Sequence, residues 1–194
     1  MRLLVGLGNP GPEHAHNRHN VGFLAAGEIA RRYSFGPAKA RFKGEYFEGN
    51  ISNEKIGILL PLTYMNLSGQ AVSNIVQFYK IANKDIFVLH DEIDLEPGRV
   101  KVKRGGSSAG HNGLRSLDQH IGIDYWRIRL GVGHPGNREA VKYYVLNDFA
   151  KIERPLIANM IDAITGAFPL LLTGETNLFM NQVSLNQQKF MDQD

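Results

Sequence analysis

Short apolar runs recur along the chain and predict β-strands. Leu3-Leu4-Val5 and Ile86-Phe87-Val88-Leu89 are wholly apolar, which is typical of buried strands. Two later segments alternate apolar residues with lysine and arginine, the pattern of a strand with one exposed face. The predicted strands cover residues 3–5, 41–52, 55–60, 86–89, 99–104 and 126–132, with a hairpin turn at residues 52–54.

Apolar positions spaced three or four residues apart predict the helices. Ser68 and Asn137 can each cap a helix, and Pro169 should bend or end the last long one. The predicted helices cover residues 21–33, 68–79, 114–121, 141–145 and 155–172.

Strands and helices therefore alternate, and no repeat or linker interrupts them. This order predicts the α/β class: a single domain over residues 1–194, with a twisted mixed β-sheet flanked by helices. Residues from about 175 onward are mostly polar, so we expect a polar C-terminal tail or a loose terminal helix.

Composition narrows the functional classes. The chain has no cysteine, which excludes disulfides, thiolate metal ligands and cysteine nucleophiles. It has neither a signal-peptide pattern nor an apolar run near the roughly 20 residues that cross a bilayer. We therefore expect a cytoplasmic protein that does not bind a membrane.

Basic residues are concentrated in two segments, although the net charge of +3 is only a weak sign of a polyanionic partner. Lys101, Lys103 and Arg104 precede a glycine-rich loop, and Arg127 and Arg129 alternate on a later strand. These residues could bind backbone phosphates, as in a non-catalytic RNA-binding module, or form two solvated strand faces. Such modules usually add exposed aromatic residues, and these segments carry only one tryptophan, which we expect in the core.

Gly6-Leu7-Gly8-Asn9-Pro10-Gly11 matches the dinucleotide-binding pattern G-x-G-x-x-G after a strand. That pattern binds pyrophosphate only when a helix opens inside it and directs its amides at the ligand. Pro10 and Pro12 remove two such amides, and the acidic residue expected about 20 positions later is missing, since Glu28 lies inside a predicted helix. We therefore expect no dinucleotide site.

Gly106-Ser107-Ser108-Ala109-Gly110 matches the nucleophile-elbow pattern G-x-S-x-G. An elbow follows a buried apolar strand, whereas this segment follows a half-charged one. A serine nucleophile would also need an acid and a histidine further along the chain. Two pairs could supply them, Asp118 with His120 or Asp124 with His134, and nothing in the sequence favours either pair. A serine hydrolase that uses Ser108 stays an alternative.

His14-x-His16-x-x-His19 suggests a metal site that Asp91, Glu92 and Asp94 would complete. Three histidines this close together on a loop converge on zinc only if the backbone folds back sharply. We expect solvated loop histidines instead, and no metal.

A different set of polar residues lies in loops and at element ends, where α/β sheets place ligand sites. Asp91 comes at the end of an apolar strand, where a buried carboxylate needs a partner. An imidazole is a natural partner, because the carboxylate fixes its tautomer and stabilises its protonated form. The set comprises Asn9, His19, Asn66, Asp91, His111 and Asn112.

Six short blocks follow one another between about residues 3 and 150. They are GLGNPG at 6–11, RHNVG at 18–22, TYMNLSG at 63–69, HDEIDL at 90–95, GHNGL at 110–114 and RLGVGHPG at 129–136. Together and in this order, they resemble the bacterial peptidyl-tRNA hydrolases.

The resemblance implies a monomeric enzyme without a cofactor or metal. It would hydrolyse the ester between a peptide's C-terminus and the 3′-terminal ribose of tRNA, and so recycle tRNA from stalled translation. The resemblance implies that His19 is the base that activates water and that Asp91 orients it. It also implies substrate contacts from Asn9, Met65, Asn66, His111 and Asn112, and a tRNA phosphate clamp formed by Lys103 and Arg129.

Two positions depart from the family's pattern. His14 stands where the family commonly has tyrosine, and residues 105–109 contain less glycine than the usual loop. Neither departure involves His19 or Asp91. The sequence leaves open which asparagine stabilises the oxyanion.

Overall fold

The computed structural model describes residues 1–191, which contain seven strands and seven α-helices. The strands are β1 (Arg2–Gly6), β2 (Lys39–Arg41), β3 (Gly44–Ile51), β4 (Glu54–Pro61), β5 (Ile86–Glu92), β6 (Val100–Arg104) and β7 (Trp126–Gly131). The helices are α1 (Val21–Arg32), α2 (Ser68–Tyr79), α3 (Asn112–Ile121), α4 (Val141–Val145), α5 (Arg154–Ala167), α6 (Pro169–Leu172) and α7 (Thr176–Met191). None of these helices is both long enough and apolar enough to span a membrane.

The strands form one mixed sheet in the order β2-β3-β4-β1-β5-β7-β6. At its centre β4, β1, β5 and β7 are parallel neighbours. β2 and β3 on one side, and β6 on the other, pair antiparallel. The predicted α/β class with a mixed sheet is confirmed. Because the central strands are parallel, the carboxyl ends of β1, β5 and β7 meet at one edge, where such sheets bind ligands.

Helices cover both faces of the sheet. Side chains alternate along each central strand, so Leu4 enters one core while Leu3 and Val5 enter the other. The first core includes α1, α5, α6 and α7, and the second includes α2 and α3. The polar segment after residue 175 forms α7, which packs on the first core through the buried Phe179 and Val183. Residues 192–194 of the expected tail lie outside the described residues.

Two predictions about helix ends are confirmed and one is wrong. Asn137 accepts the amide hydrogen of Glu139 at 2.9 Å and so caps the 3-10 turn Arg138–Ala140, which runs directly into α4, and the long helix is interrupted between α5 and α6, just before Pro169. Ser68 does not cap α2. Its hydroxyl donates to the Met65 carbonyl at 2.9 Å, because a 3-10 turn already runs into the helix and places Ser68 in the first helical turn.

Candidate active site

Several of the predicted site residues converge at the edge of the sheet where the parallel strands end. Asn9 follows β1, Asp91 is the second-last residue of β5, and His19 lies in a 3-10 turn that runs directly into α1. Glycine allows α1 to begin this close to the sheet, since a Cβ on Gly22 would collide with a backbone carbonyl of β5. The close approach brings the histidine turn against β5.

His19 and Asp91 form the central pair of the site. Nδ1 of His19 lies 2.8 Å from Oδ1 and 2.9 Å from Oδ2 of Asp91, and both residues are buried. An ionised carboxylate only accepts hydrogen bonds, so Nδ1 carries the proton. Nε2 is then the unprotonated nitrogen, and it can accept a proton from water.

Burial and charge act against each other in this pair. Burial lowers the pKa of His19, but the charge of Asp91 and its hydrogen bond outweigh burial, so the pKa lies above the ordinary 6.5. Burial raises the pKa of the Asp91 carboxyl, but the neighbouring imidazoles outweigh it and hold that pKa well below its usual range. Asp91 is therefore ionised at neutral pH.

His111 is a second imidazole on the same carboxylate. Its Nε2 lies 2.8 Å from Oδ1 of Asp91. Its Nδ1 accepts the amide hydrogens of Gly113 and Leu114 at 3.1 and 3.3 Å, which caps α3. Because Nδ1 accepts, the ring proton of the neutral imidazole is on Nε2, which donates to Asp91. The sequence indicated His111 as a cleft residue, but not this contact with the acid.

Asn20 joins the histidine turn to Asn9. Its side-chain oxygen accepts the Asn9 amide hydrogen, and its side-chain amide donates to the Asn9 carbonyl, both at 2.9 Å. The side-chain oxygen of Asn9 in turn accepts the Met65 amide hydrogen at 2.8 Å, so Nδ2 of Asn9 is left to donate. No pattern in the sequence indicated a role for Asn20, although it directly follows His19 in one of the six blocks.

The other predicted cleft residues lie on the turn before α2 and at the start of α3, which pack against each other. Met65 is buried, and its sulfur lies so close to Gly113 that a Cβ there would be 2.6 Å away. Asn66 and Asn112 are exposed, and neither side chain hydrogen-bonds to another part of the described chain. Both carboxamides are therefore available to a ligand.

The predicted phosphate-binding residues lie on neighbouring strands. The register of β6 and β7 pairs Lys101 with Arg129 and Lys103 with Arg127, and strand alternation directs all four side chains to one face. Arg129 donates from Nε to the Glu92 carboxylate at 2.9 Å. Lys103 is exposed and forms no ion pair within residues 1–191.

Arg127 differs from its basic neighbours, and its interpretation as a solvated or phosphate-binding residue is wrong. It is fully buried, and its guanidinium donates to the Ser107 carbonyl at 2.6 Å and to the Asp118 carboxylate at 2.9 Å. The hydroxyl of Tyr125 shares that carboxylate at 2.7 Å. Because α3 supplies Asp118 at this part of the strand, Arg127 is a buried charge with an ionic partner. Its hydrogen bond to Ser107 also holds the loop that leads to His111.

In the part of the chain that the structure describes, the dinucleotide-binding, nucleophile-elbow and histidine-cluster motifs do not form the sites that their patterns suggest. The G-x-G-x-x-G segment continues into the 3-10 turn Pro12–His14, and α1 opens only at Val21, beyond the motif. Among the described residues, no histidine hydrogen-bonds to the hydroxyl of Ser108. His14 bonds to the side chain of Asn17 at 3.0 Å and does not join His19.

A different trio has the spacing of a metal site. The ligating atoms of His19, Asp91 and His111 lie within 4.8 Å of one another. The hydrogen bonds to Asp91 occupy Nδ1 of His19 and Nε2 of His111, each of which directs its proton at the carboxylate. A metal ion would have to displace both protons, whereas the hydrogen-bonded trio presents a base.

The chain is similar to known proteins over nearly its whole length. The family described as peptidyl-tRNA hydrolase matches residues 3–192. A peptidyl-tRNA hydrolase from Rhodospirillum centenum is 54% identical over 188 residues, which cover 97% of this chain and 83% of that protein. One from Rhodopseudomonas palustris is 52% identical over 196 residues, covering 100% and 95%. The crystal structure of peptidyl-tRNA hydrolase from Acinetobacter baumannii has a TM-score of 0.89 and 42% identity, over 94% of each chain.

Proposed function

Because the chain belongs to the peptidyl-tRNA hydrolase family and hydrolyses peptidyl-tRNA, we propose that His19 is the general base of this reaction and that Asp91 orients it. The enzyme cleaves the ester between the peptide's C-terminus and the 3′-terminal ribose, which returns tRNA to translation. The proposal depends on the contacts of His19 Nδ1 with both oxygens of Asp91, at 2.8 and 2.9 Å. They leave Nε2 of a neutral imidazole free to accept a proton.

In the first step, water attacks the ester carbonyl while Nε2 of His19 takes one of its protons. A tetrahedral intermediate forms, with negative charge on the former carbonyl oxygen. When it collapses, the bond to the ribose oxygen breaks and the imidazolium returns the proton to that oxygen, which releases tRNA and the peptide acid. Asp91 stabilises the imidazolium between the two steps. General-base assistance of this kind supplies roughly 10²–10⁴ in rate.

We assign the oxyanion contact to Asn9. The side-chain oxygen of Asn9 accepts a hydrogen bond from the Met65 amide, and its backbone is hydrogen-bonded to the Asn20 side chain. The Nδ2 donor of Asn9 is therefore held in one direction before substrate binds. A donor held in place at the oxyanion contributes roughly 10²–10³ in rate. Asn112 is exposed and unbound, which suits an adaptable contact with the peptide better than a fixed one.

Four residues are proposed to line the path of the peptide: Asn66, Asn112, His111 and Met65. Carboxamides can hydrogen-bond the neutral backbone of a peptide. The charged α-amino group of an aminoacyl-tRNA would instead lose hydration without gaining a carboxylate, since Asp91 is already bound by two imidazoles. This difference favours substrates whose amino group is blocked.

Lys103 and Arg129 are proposed to bind a tRNA phosphate. Lys103 has no competing carboxylate among the described residues, and Arg129 uses only Nε on Glu92, so its terminal nitrogens can bind the phosphate. Each such contact releases counterions, so binding should weaken as salt rises.

We further propose that residues 1–194 form one domain that acts as a cytoplasmic monomer, without a metal or cofactor. The base, its acid, the oxyanion donor and the basic strand pair all belong to one chain, so the proposed reaction needs no residue from a second copy.

The deciding experiment is hydrolysis of N-acetyl-aminoacyl-tRNA by wild type and His19→Ala, each with and without EDTA. We expect His19→Ala to abolish turnover while binding largely persists, and EDTA to leave the wild type unchanged. Activity near wild type in His19→Ala would remove this residue from the mechanism, and loss of wild-type activity in EDTA would favour a metal at the trio. Ser108→Ala is the control for serine catalysis and should stay active.

A further inference from the structure

A polar groove of about 430 Å³ lies between β6 and α7. On the strand side its lining includes two cationic residues, Arg99 and Lys101. On the helix side, carboxamides and a hydroxyl recur every three or four residues and so form one stripe. The stripe consists of Asn177, Asn181, Ser184 and Gln187.

The stripe is held in a fixed position against the sheet. The sulfur of Met180 accepts the amide hydrogen of Val102 at 3.4 Å, and Gln187 donates to the Gly98 carbonyl at 2.7 Å. Residue numbers rise along the helix as they fall along the strand, so α7 runs antiparallel to β6. The buried Phe179 anchors the inner side of the helix. From residue 177 to 187 the stripe is roughly 15 Å long.

The charge of this surface suits a polyanion. Between Thr176 and Met191 the only charged residue is Lys189; Asp192 and Asp194 follow outside the described residues. Arg99 and Lys101 add positive charge beside the uncharged donors of the stripe. RNA backbones bind such surfaces, because cations contact the phosphates while neutral side chains hydrogen-bond to phosphate and 2′-hydroxyl oxygens.

The groove adjoins the proposed phosphate clamp around the outer edge of β6, because Val100 and Val102 face the core that holds α7 while Lys101 and Lys103 face the other side of the sheet. Lys101 lines the groove, pairs in register with Arg129, and shares a strand face with Lys103. Gln187 contacts Gly98, which bonds to the end of β7 at the catalytic edge, whereas Asn177 lies toward the other end of β6. The stripe therefore leads away from the catalytic edge.

We propose that the outer face of α7 and the adjoining edge of β6 form a second contact surface for the sugar–phosphate backbone of the substrate's tRNA. This inference rests on the proposed function, since it requires the tRNA 3′ end at His19 and a phosphate at Lys103 and Arg129. The tRNA then continues away from the catalytic edge, along the stripe.

Asn181→Glu tests this surface, because it places a negative charge in the middle of the stripe. Leu178→Glu is the matched control, since Leu178 is exposed on the same helix but lies outside the groove. The measured quantity is kcat/KM on N-acetyl-aminoacyl-tRNA and on N-acetyl-aminoacyl-adenosine, at low and at physiological salt. We expect Asn181→Glu to lower the value for the tRNA substrate about tenfold at low salt and to leave the adenosine ester unchanged. Asn181→Lys should raise kcat/KM for the tRNA substrate and steepen its salt dependence by about one counterion.

Equal effects of Asn181→Glu and Leu178→Glu on the tRNA substrate would overturn the second surface, as would an Asn181→Lys variant without a gain. Thermal unfolding of each variant shows whether a loss comes from folding. Lys103→Ala separates the two proposals. If it raises KM for the tRNA substrate while the Asn181 variants change nothing, only the second surface fails; if it too has no effect, the clamp fails.

Discussion

His111 donates from Nε2 to Oδ1 of Asp91 at 2.8 Å, so one buried carboxylate binds two imidazoles. The second contact is not needed to orient His19, which already holds both oxygens through Nδ1. It shares the negative charge of Asp91 between two donors, and we infer that it limits how far Asp91 raises the pKa of His19. His90 packs edge-on against His111, and burial together with that neighbour lowers its pKa to about 3, so it stays neutral.

Replacing His111 should change the pH dependence of catalysis. His111→Asn keeps a capping residue for α3 but removes the imidazole donor to Asp91. The pKa of His19 should then rise, and the acid limb of the kcat/KM profile should move to higher pH, because only neutral His19 can act as the base. Hydrolysis of N-acetyl-aminoacyl-tRNA across the pH range measures the limb. A limb at the wild-type pH would show that His111 does not influence the base.

Asp91→Asn should have the opposite effect on that limb. Without the carboxylate, burial lowers the pKa of His19 unopposed, so the remaining activity should persist to lower pH than in the wild type. At neutral pH we expect kcat to fall by roughly 10²–10⁴, less than in His19→Ala, because the imidazolium loses its stabilising charge and the ring its fixed tautomer. Single-turnover hydrolysis measures the loss. Full activity would mean that Asp91 serves the fold alone.

Asn20 should act as a positioning residue through Asn9. Asn20→Ala removes both hydrogen bonds to the Asn9 backbone, so we expect kcat to fall about tenfold with KM little changed. Asn17→Ala is the matched control, because Asn17 is a buried carboxamide just before the same turn but bonds to Asp148 and His14 instead. Both variants should lose about 1–3 kcal/mol of unfolding free energy in urea. Equal losses of kcat in the two would reduce the role of Asn20 to stability.

The basic strand pair should respond to salt and to substrate length. Lys103→Ala and Arg129→Ala should raise KM for tRNA-linked substrate, spare the adenosine ester, and each reduce the salt slope by about one. Glu92→Gln should instead lower KM for the tRNA-linked substrate and increase the salt slope, since it releases Arg129 from its ion pair. Steady-state kinetics at several salt concentrations distinguish these outcomes. If KM rises equally for the tRNA-linked substrate and for the adenosine ester, the clamp is refuted.

Local patterns were sufficient for most of the elements, though not for β2, and for part of the site. The apolar run that became β5, the hairpin of β3 and β4, and the break before Pro169 follow from side-chain periodicity and backbone restrictions that act over a few residues. Asp91 could be singled out because a carboxylate at the end of an apolar strand needs a partner. Its partner lies 72 positions away in the chain, and they meet only because β1 and β5 are parallel neighbours and α1 begins close to both.

The sequence by itself determined most of the order of elements, though not the short strand β2, and it also determined the class of fold and, through six ordered blocks, the family that the residues resemble. Tertiary structure alone decided the burial of Arg127, the second imidazole on Asp91, the hold of Asn20 on Asn9 and the packing of α7 along β6. The physical reason is that alternation along a strand or helix shows which side chains share a face. What covers that face is set by elements distant in the chain, as α3 does when its Asp118 turns an apparently solvated arginine into a core ion pair.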